Sequence, residues 1–242
     1  MNYRVTICIA TYNGEKYIRE QLESILKQLG MQDEIIVSDD SSTDATLNIV
    51  RSFNDSRIKI YSQNKFHSPI FNFENALKKA KGDYIFLCDQ DDVWEQDKIS
   101  TTLSYLDKYC LVVSDCRIID GDGFVVRESF WDSHIPKVGV LNNLIKNHYL
   151  GCCMAFRREL LKIALPFPPR IAMHDIWLGL CASFFFSTIF IPDNLMRYRR
   201  HGGNVSPTAE HSTFPLTYRI NYRLYFLYQL MKRRFQCKKF LL

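Results

Sequence analysis

Residues 83–94 read Asp-Tyr-Ile-Phe-Leu-Cys-Asp-Gln-Asp-Asp-Val-Trp, DYIFLCDQDDVW in one-letter form. The apolar run Tyr84–Cys88 has the length and continuity of a strand buried on both faces. It passes without a turn into three carboxylates within four residues, Asp89, Asp91 and Asp92, and apolar character resumes at once with Val93-Trp94. Carboxylates this close repel one another. Their exposure at a strand end makes sense where a divalent cation sits. Mn²⁺ or Mg²⁺ takes few protein carboxylates and completes its shell with water and phosphate oxygens. A lone Asp-x-Asp is more often an acidic surface turn, but here a buried-type strand runs directly into it.

Upstream, short apolar runs alternate with helix-period segments. Arg4–Ile9 reads as a strand broken by Asn13-Gly14, with Asn13 as a candidate helix cap. Ile18, Leu22, Ile25, Leu26 and Leu29 then form one apolar helix face, stopped by Gly30. Glu34–Val37 is a second strand, Arg57–Tyr61 a third, and Tyr84–Cys88 the fourth. A helix runs through Val50 and another over Ile70–Ala80. The alternation predicts an α/β fold, a Rossmann-like and mostly parallel sheet flanked by helices. Such sheets bind ligands outside the carboxyl ends of their strands, where the polar clusters Ala10–Gly14, Ser38–Asp40 and Asp89–Asp92 all fall.

In Ser38–Asp44, Thr43 and Asp44 suffice to cap the following helix, leaving Asp39-Asp40 without a structural job. A carboxylate there can accept the N3–H of a uracil or thymine ring, and Tyr12 can stack on it. The second half is less regular. Leu111–Ile119 reads as a strand, Asp120–Gly123 as a tight turn into Phe124–Val126, and Leu141–Asn147 and Arg158–Ala164 as short helices. Ile176–Phe185 reads as a buried helix. The apolar stretch Leu180–Ile191 is too short and too polar to span a membrane.

The net charge of +5 is unevenly spread. Seven Lys/Arg and no acid lie between Leu216 and Leu242, which leaves 24 basic against 26 acidic residues in the remainder. A near-neutral body with a basic tail argues against a nucleic-acid partner. Ile220, Leu224, Leu227 and Met231 share a helix face in that tail, amid Tyr222, Tyr225, Phe226 and Tyr228, and before Lys232-Arg233-Arg234 and Lys238-Lys239. Two readings stay open: an interfacial helix in peripheral contact with an anionic membrane, or a helix packed on the body with a solvated basic end. Cys8, Cys88 and Cys116 lie in apolar runs, no CxxC pair exists and no signal peptide follows Met1. These features predict free thiols and a cytoplasmic protein.

Five stretches together resemble the family 2 glycosyltransferases of GT-A fold: ICIATYNGEKYIREQLESILKQ (Ile7–Gln28), IIVSDDSSTDAT (Ile35–Thr46), AKGDYIFLCDQDDVW (Ala80–Trp94), MHDIWLGL (Met173–Leu180) and YRRHGGNVS (Tyr198–Ser206). The DQDDVW and YRxHGxN variants look most like the rhamnosyltransferase-like branch that builds bacterial surface polysaccharide. The resemblance implies a catalytic domain over residues 1–215, with a nucleotide-binding half to about residue 120 and an acceptor-side half over 121–215, followed by a basic tail over 216–242. It implies an inverting, metal-dependent transfer from a UDP-hexose or dTDP-rhamnose donor to a hydroxyl of a glycan or lipid-linked oligosaccharide. Residue by residue, Ala10 and Tyr12 fall where the family lines the nucleotide base, and Asp40 where it binds the base. Asp89, Asp91 and Asp92 cover the region that meets the ribose side and the metal, Mn²⁺ or Mg²⁺. Asp91 is favoured over Asp92 as principal ligand. His201 falls where some members add a metal or diphosphate contact. Asp175 falls at the catalytic base, although the family often has Glu-Asp where this chain has His174-Asp175. Gly151–Met154 resembles the segment that shapes the acceptor side, against a plain reading as a buried strand.

The rivals are weaker. Asp89-x-Asp91 mimics the nucleophile motif of haloacid-dehalogenase-type phosphohydrolases, but theirs follows the first strand. A non-catalytic nucleotide- or glycan-binding module has no need of Asp91 and Asp175. A dehydrogenase lacks its GxGxxG. His67, His134, His148 and His211 have no partners at metal spacing, and Asp115 is a marginal candidate for facing the site.

Overall fold

The computed structural model describes residues 4–132, 134–202 and 215–240. The nucleotide half runs β1 (Val5–Thr11), α1 (Ile18–Leu26), β2 (Glu34–Asp39), α2 (Thr46–Ser52), β3 (Ile58–Tyr61), α3 (Pro69–Lys79) and β4 (Tyr84–Cys88). Next come β5 (Val93–Trp94), α4 (Lys98–Leu106), β6 (Leu111–Ile119) and β7 (Val125–Arg127). The remainder holds α5 (Val140–Ile145), β8 (Met154–Arg157), α6 (Leu161–Ala164), α7 (His174–Phe185), β9 (Thr188–Arg199) and α8 (Leu216–Phe240).

The strands form one sheet in the order β3-β2-β1-β4-β8-β6-β9-β5, with β7 paired to β6. The first four are parallel, as the alternation predicts. Beyond β4 the sheet is mixed: β8 is antiparallel to both β4 and β6, while β6 and β9 are again parallel. Thr11 pairs with Asp39 and Ile9 with Cys88, so the carboxyl ends of β2, β1 and β4 lie level. That alignment brings Ala10–Gly14, Ser38–Asp40 and Asp89–Asp92 to one edge.

Ile7, Ile9, Ile35, Phe86 and Phe156 are fully buried, as are Ile18, Leu22 and Ile25 on the expected face of α1. Asn13 is not the cap of that helix. It takes a left-handed conformation (φ 48°), which asparagine tolerates better than most residues. Its Oδ1 accepts the Thr43 N–H at 2.8 Å, tying the β1–α1 loop to the β2–α2 loop. Cys8, Cys88, Cys110, Cys116, Cys152, Cys153 and Cys181 are free and buried.

Helix α8 packs on the body through Phe226 and Leu230, both fully buried. Phe226 stacks on Trp177 of α7 with ring centroids 6.3 Å apart. The Arg223 guanidinium donates to the Leu144 carbonyl at the end of α5, and Arg233 to the Pro166 carbonyl. Ile220, Leu224 and Met231 consequently face outward. Among the described residues no helix is long and apolar enough to cross a membrane.

Candidate active site at the carboxyl ends of three strands

On the β2 side, Asp39 has the structural job that the sequence did not assign it. Its carboxylate accepts the Thr11 hydroxyl and the Ser42 N–H, both at 2.9 Å, and so fixes the turn. Ala45, not Asp44 or Thr43, holds the cap position of α2, while Asp44 accepts the Thr46 N–H of its first turn at 3.0 Å. Asp40 is 6% exposed, and its two oxygens accept the N–H groups of Phe66 (2.7 Å) and Ser68 (3.2 Å). It therefore anchors the segment after β3 over the strand ends. Ala10 is half-buried beside it. Tyr12 is exposed at the rim.

Gln90, which the sequence reading treated as a spacer, clips Tyr12 by its backbone. Its Oε1 accepts the Tyr12 N–H at 2.9 Å, and its Nε2 donates to the Tyr12 carbonyl at 3.0 Å. Gly14 makes room for that amide, since a Cβ there would lie 2.4 Å from Gln90 Oε1.

At the end of β4, Asp92 is buried: its Oδ1 accepts the Arg199 N–H at 2.9 Å, while its Oδ2 has no partner among the described residues. Oxygens of Asp89 and Asp92 and the Cys152 sulfur lie within 4.8 Å of one another. Asp91 Oδ2 instead meets His201 Nε2 at 2.9 Å. Asp89 keeps some exposure at the mouth. The protein packed around it, and then the Asp91 and Asp175 carboxylates, push it up to about 8. Burial, then Asp91 and Asp89, hold Asp92 well above the carboxylate range. Burial pushes the Cys152 thiol up as well, so it offers no thiolate at neutral pH. Crowded carboxylates and an orphaned oxygen fit a hard divalent cation far better than they fit a bare loop.

Arg199, also missed from the sequence, is the hub behind these groups. Its guanidinium donates to the Asp91 carbonyl (2.8 Å) and to Glu20 (2.6 Å), and lies 4.7 Å from the Tyr17 ring centroid. The same Tyr17 ring flanks His201, with centroids 5.0 Å apart. The Arg199 hydrogen bonds to Asp91 and Glu20 span 108 and 179 residues of chain, beyond the reach of local pattern.

Asp175 opens α7 and is 9% exposed. Burial pushes its carboxyl up to about 6, against the N–H groups of Ile176 and Gly151, which stabilise the charged form. Gly151 starts the turn before β8, and a Cβ there would lie 3.2 Å from His174 Nε2 and 3.5 Å from Asp175 Cβ. His174 stacks on Phe73 (centroids 4.2 Å apart), and neither ring nitrogen has a partner among the described residues. Burial pushes it down to about 3, so it is neutral in the working range.

Asp115 does not belong with these groups. Its carboxylate holds the chain after β7 by accepting the N–H groups of Phe130 (3.0 Å) and Trp131 (3.3 Å). His67, His134 and His148 are absent from the ligand grouping found among the described residues. His211 and the end of the YRRHGGNVS motif, from Gly203 on, lie outside the described residues. A cleft of about 800 Å³ runs along α1 and β5, lined by Lys27, Trp94, Asp97 and Arg197 among others. It touches the Arg199 hub through Glu20 but includes none of the expected site residues.

A parallel βαβ half with a buried carboxylate just after β2, a carboxylate cluster after β4 and a buried carboxylate at the start of α7 is the architecture of a GT-A nucleotide-sugar transferase. The chain belongs to the family described as glycosyl transferase family 2, whose profile matches residues 6–163. It is 44% identical over 116 residues to dTDP-rhamnosyl transferase RfbG of Shigella flexneri, a match covering 45% of this chain and 38% of that protein. It is 31% identical over 206 residues to the UDP-Glc:alpha-D-GlcNAc-diphosphoundecaprenol beta-1,3-glucosyltransferase WfaP of Escherichia coli, covering 84% and 79%. The fold matches S. aureus TarS 1-349 in complex with UDP-GlcNAc, with a TM-score of 0.70 at 22% identity over 93% of this chain and 72% of that one. It also matches mannosyltransferase PcManGT from Pyrobaculum calidifontis, solved with GDP-Man and Mn²⁺, with a TM-score of 0.64 at 21% identity over 86% and 59%. The protein is a nucleotide-sugar glycosyltransferase. The phosphohydrolase and binding-module readings gain no support.

Proposed function

We propose that the protein transfers a glycosyl group, with inversion, from a UDP-hexose or dTDP-rhamnose to a hydroxyl of a glycan or lipid-linked oligosaccharide during polysaccharide synthesis. One observation carries this reading. The buried Asp175 packs against Gly151, and the next residue, Cys152, lies within 4.8 Å of oxygens of Asp89 and Asp92, so a base adjoins the carboxylate cluster. Ala10 and Tyr12 line the base, Asp40 accepts its N3–H, and Asp89 meets the ribose side. Asp91, Asp92 and His201 would hold Mn²⁺ or Mg²⁺, Asp91 as principal ligand beside His201 and Asp92 through its unpartnered Oδ2. When bound, such a cation acts as a Lewis acid that neutralises charge developing on the diphosphate. Asp175 takes the proton of the acceptor hydroxyl as it attacks from the face opposite the leaving group. A single base suffices for inversion, and no covalent intermediate is needed.

A donor panel tests the reading as a whole. With Mn²⁺, UDP- and dTDP-sugars should raise the melting temperature, and at least one should be slowly hydrolysed. No shift and no hydrolysis across the panel would overturn it. Base recognition has its own test. Asp40→Asn keeps an oxygen to accept the Phe66 N–H but removes the charge. Affinity for UDP or dTDP should fall by about 1–3 kcal/mol in calorimetry. Equal affinities for both nucleotides in parent and variant would move the base pocket elsewhere.

Relatives of this chain include an enzyme named for a diphosphoundecaprenol-linked acceptor. An acceptor of that kind would bring this protein against the inner face of the plasma membrane, held peripherally by α8. That helix carries seven of the basic residues with its neighbours to Leu242 and no acid.

A further inference from the structure

We propose that the membrane-facing surface is built from two helices, α5 as well as α8, and that its partner is an anionic lipid bilayer. The proposal rests on the lipid-linked acceptor reading and names the surface that serves it. Leu141 and Ile145 stand one helical turn apart on α5 and are 72% and 75% exposed. On α8, Ile220, Leu224, Tyr228, Met231 and Phe235 follow helical spacing and are 43–64% exposed. Phe226 and Leu230 are buried on the other side, so this stripe is additional to the packing face. Arg223 joins the two helices by donating to the Leu144 carbonyl and, at 3.1 Å, to the Ile145 carbonyl. Large apolar side chains exposed together on adjoining helices mark an interaction surface.

Charge selects the occupant. Residues 134–148 contain Lys137 and Lys146 and no acid, and α8 contains no acid. Lys137, Lys146, Lys232 and Arg234 are exposed around the apolar stripe. Apolar and aromatic residues on two segments whose own charged side chains are all cationic complement a surface of acyl chains beneath anionic headgroups. Both helices pack on α7, whose first turn carries Asp175. Seating α5 and α8 in the headgroup layer therefore fixes the height of the base above the membrane, where a lipid-linked acceptor presents its hydroxyl.

Flotation of the full chain tests this, using vesicles of equal parts phosphatidylglycerol and phosphatidylethanolamine, with phosphatidylcholine vesicles for comparison. The parent should float with the anionic vesicles and far less with phosphatidylcholine. The pair Leu141→Ser and Ile145→Ser should reduce partition roughly tenfold or more, with vesicle-free donor hydrolysis unchanged. The pair Lys137→Glu and Lys146→Glu should reduce it again, by an independent chemistry. Parent-like flotation of both pairs would overturn the role of α5. So would light scattering that shows a concentration-dependent dimer of the parent dissolved by the serine pair, since the surface would then bind a second copy. A parent that hydrolyses donor yet ignores anionic vesicles overturns lipid seating and leaves the transferase reading intact. A parent that floats but hydrolyses no donor leaves the surface standing and counts against the site.

Discussion

Asp175→Asn is expected to lower turnover by ~10²–10⁴ while nucleotide affinity stays near that of the parent. Asparagine preserves the shape of the side chain and can still accept the Ile176 N–H, so the helix start remains intact. What is lost is the acceptor for the hydroxyl proton. The parent should also show a pH limb of matching origin. Burial pushes Asp175 up to about 6, and the base works only when deprotonated. As pH falls through that value kcat/KM should therefore drop about tenfold per unit. A cation beside Asp89 favours the charged carboxylate and moves the limb lower, never higher. The variant should lack the limb. His174, neutral and held near 3, would give one far lower if it were the base. Near-normal turnover in Asp175→Asn would remove Asp175 from the mechanism.

Chelation should abolish turnover altogether, and Mn²⁺ or Mg²⁺ should restore it. Asp91→Asn should cost ~10²–10³ in turnover and weaken binding of the nucleoside diphosphate more than that of the nucleoside. The physical ground is the state of the carboxylates without a cation. Asp89 is pushed up to about 8 and Asp92 higher than an ordinary carboxylate, so near neutrality the cluster holds protons. A cation displaces them. Binding should accordingly release protons and tighten as pH rises toward about 8. Calorimetry in two buffers of different ionisation enthalpy reads that release directly. Full activity in excess chelator would refute the metal reading.

The parallel half of the sheet was legible because period and punctuation agree there: Ile18, Leu22 and Ile25 sit buried one turn apart, and the strands between helices are short and apolar. The antiparallel half was not. Met154–Arg157 is four residues long and follows two cysteines, giving no period to read. Thr188–Arg199 passes through Pro192-Asp193-Asn194, which looks like a turn. The strand absorbs it by shifting register against β6 near Ser114 and Asp115. In α8, large apolar residues occupy both faces, so spacing alone could not say that Phe226 and Leu230 would be the ones buried. The acidic residues of the site were readable since each sits at a strand or helix end. Asp39 was read as idle because one of its partners, Thr11, lies on another strand, and Arg199 escaped notice because its partners are distant along the chain.

The clip between Gln90 and Tyr12 has a consequence for how the donor is held. It couples the loop after β1 to the loop after β4, which the proposed function sets against the nucleobase and the diphosphate, through two hydrogen bonds. A nucleoside diphosphate is in effect a two-headed ligand. Once one head is docked, the other is presented at an effective concentration set by how rigidly the two receiving loops are spaced. With the spacing fixed, the intact donor should bind far more tightly than its separated halves. With the clip broken, as in Gln90→Ala, each half should keep its own affinity while the chelate advantage of the whole molecule shrinks.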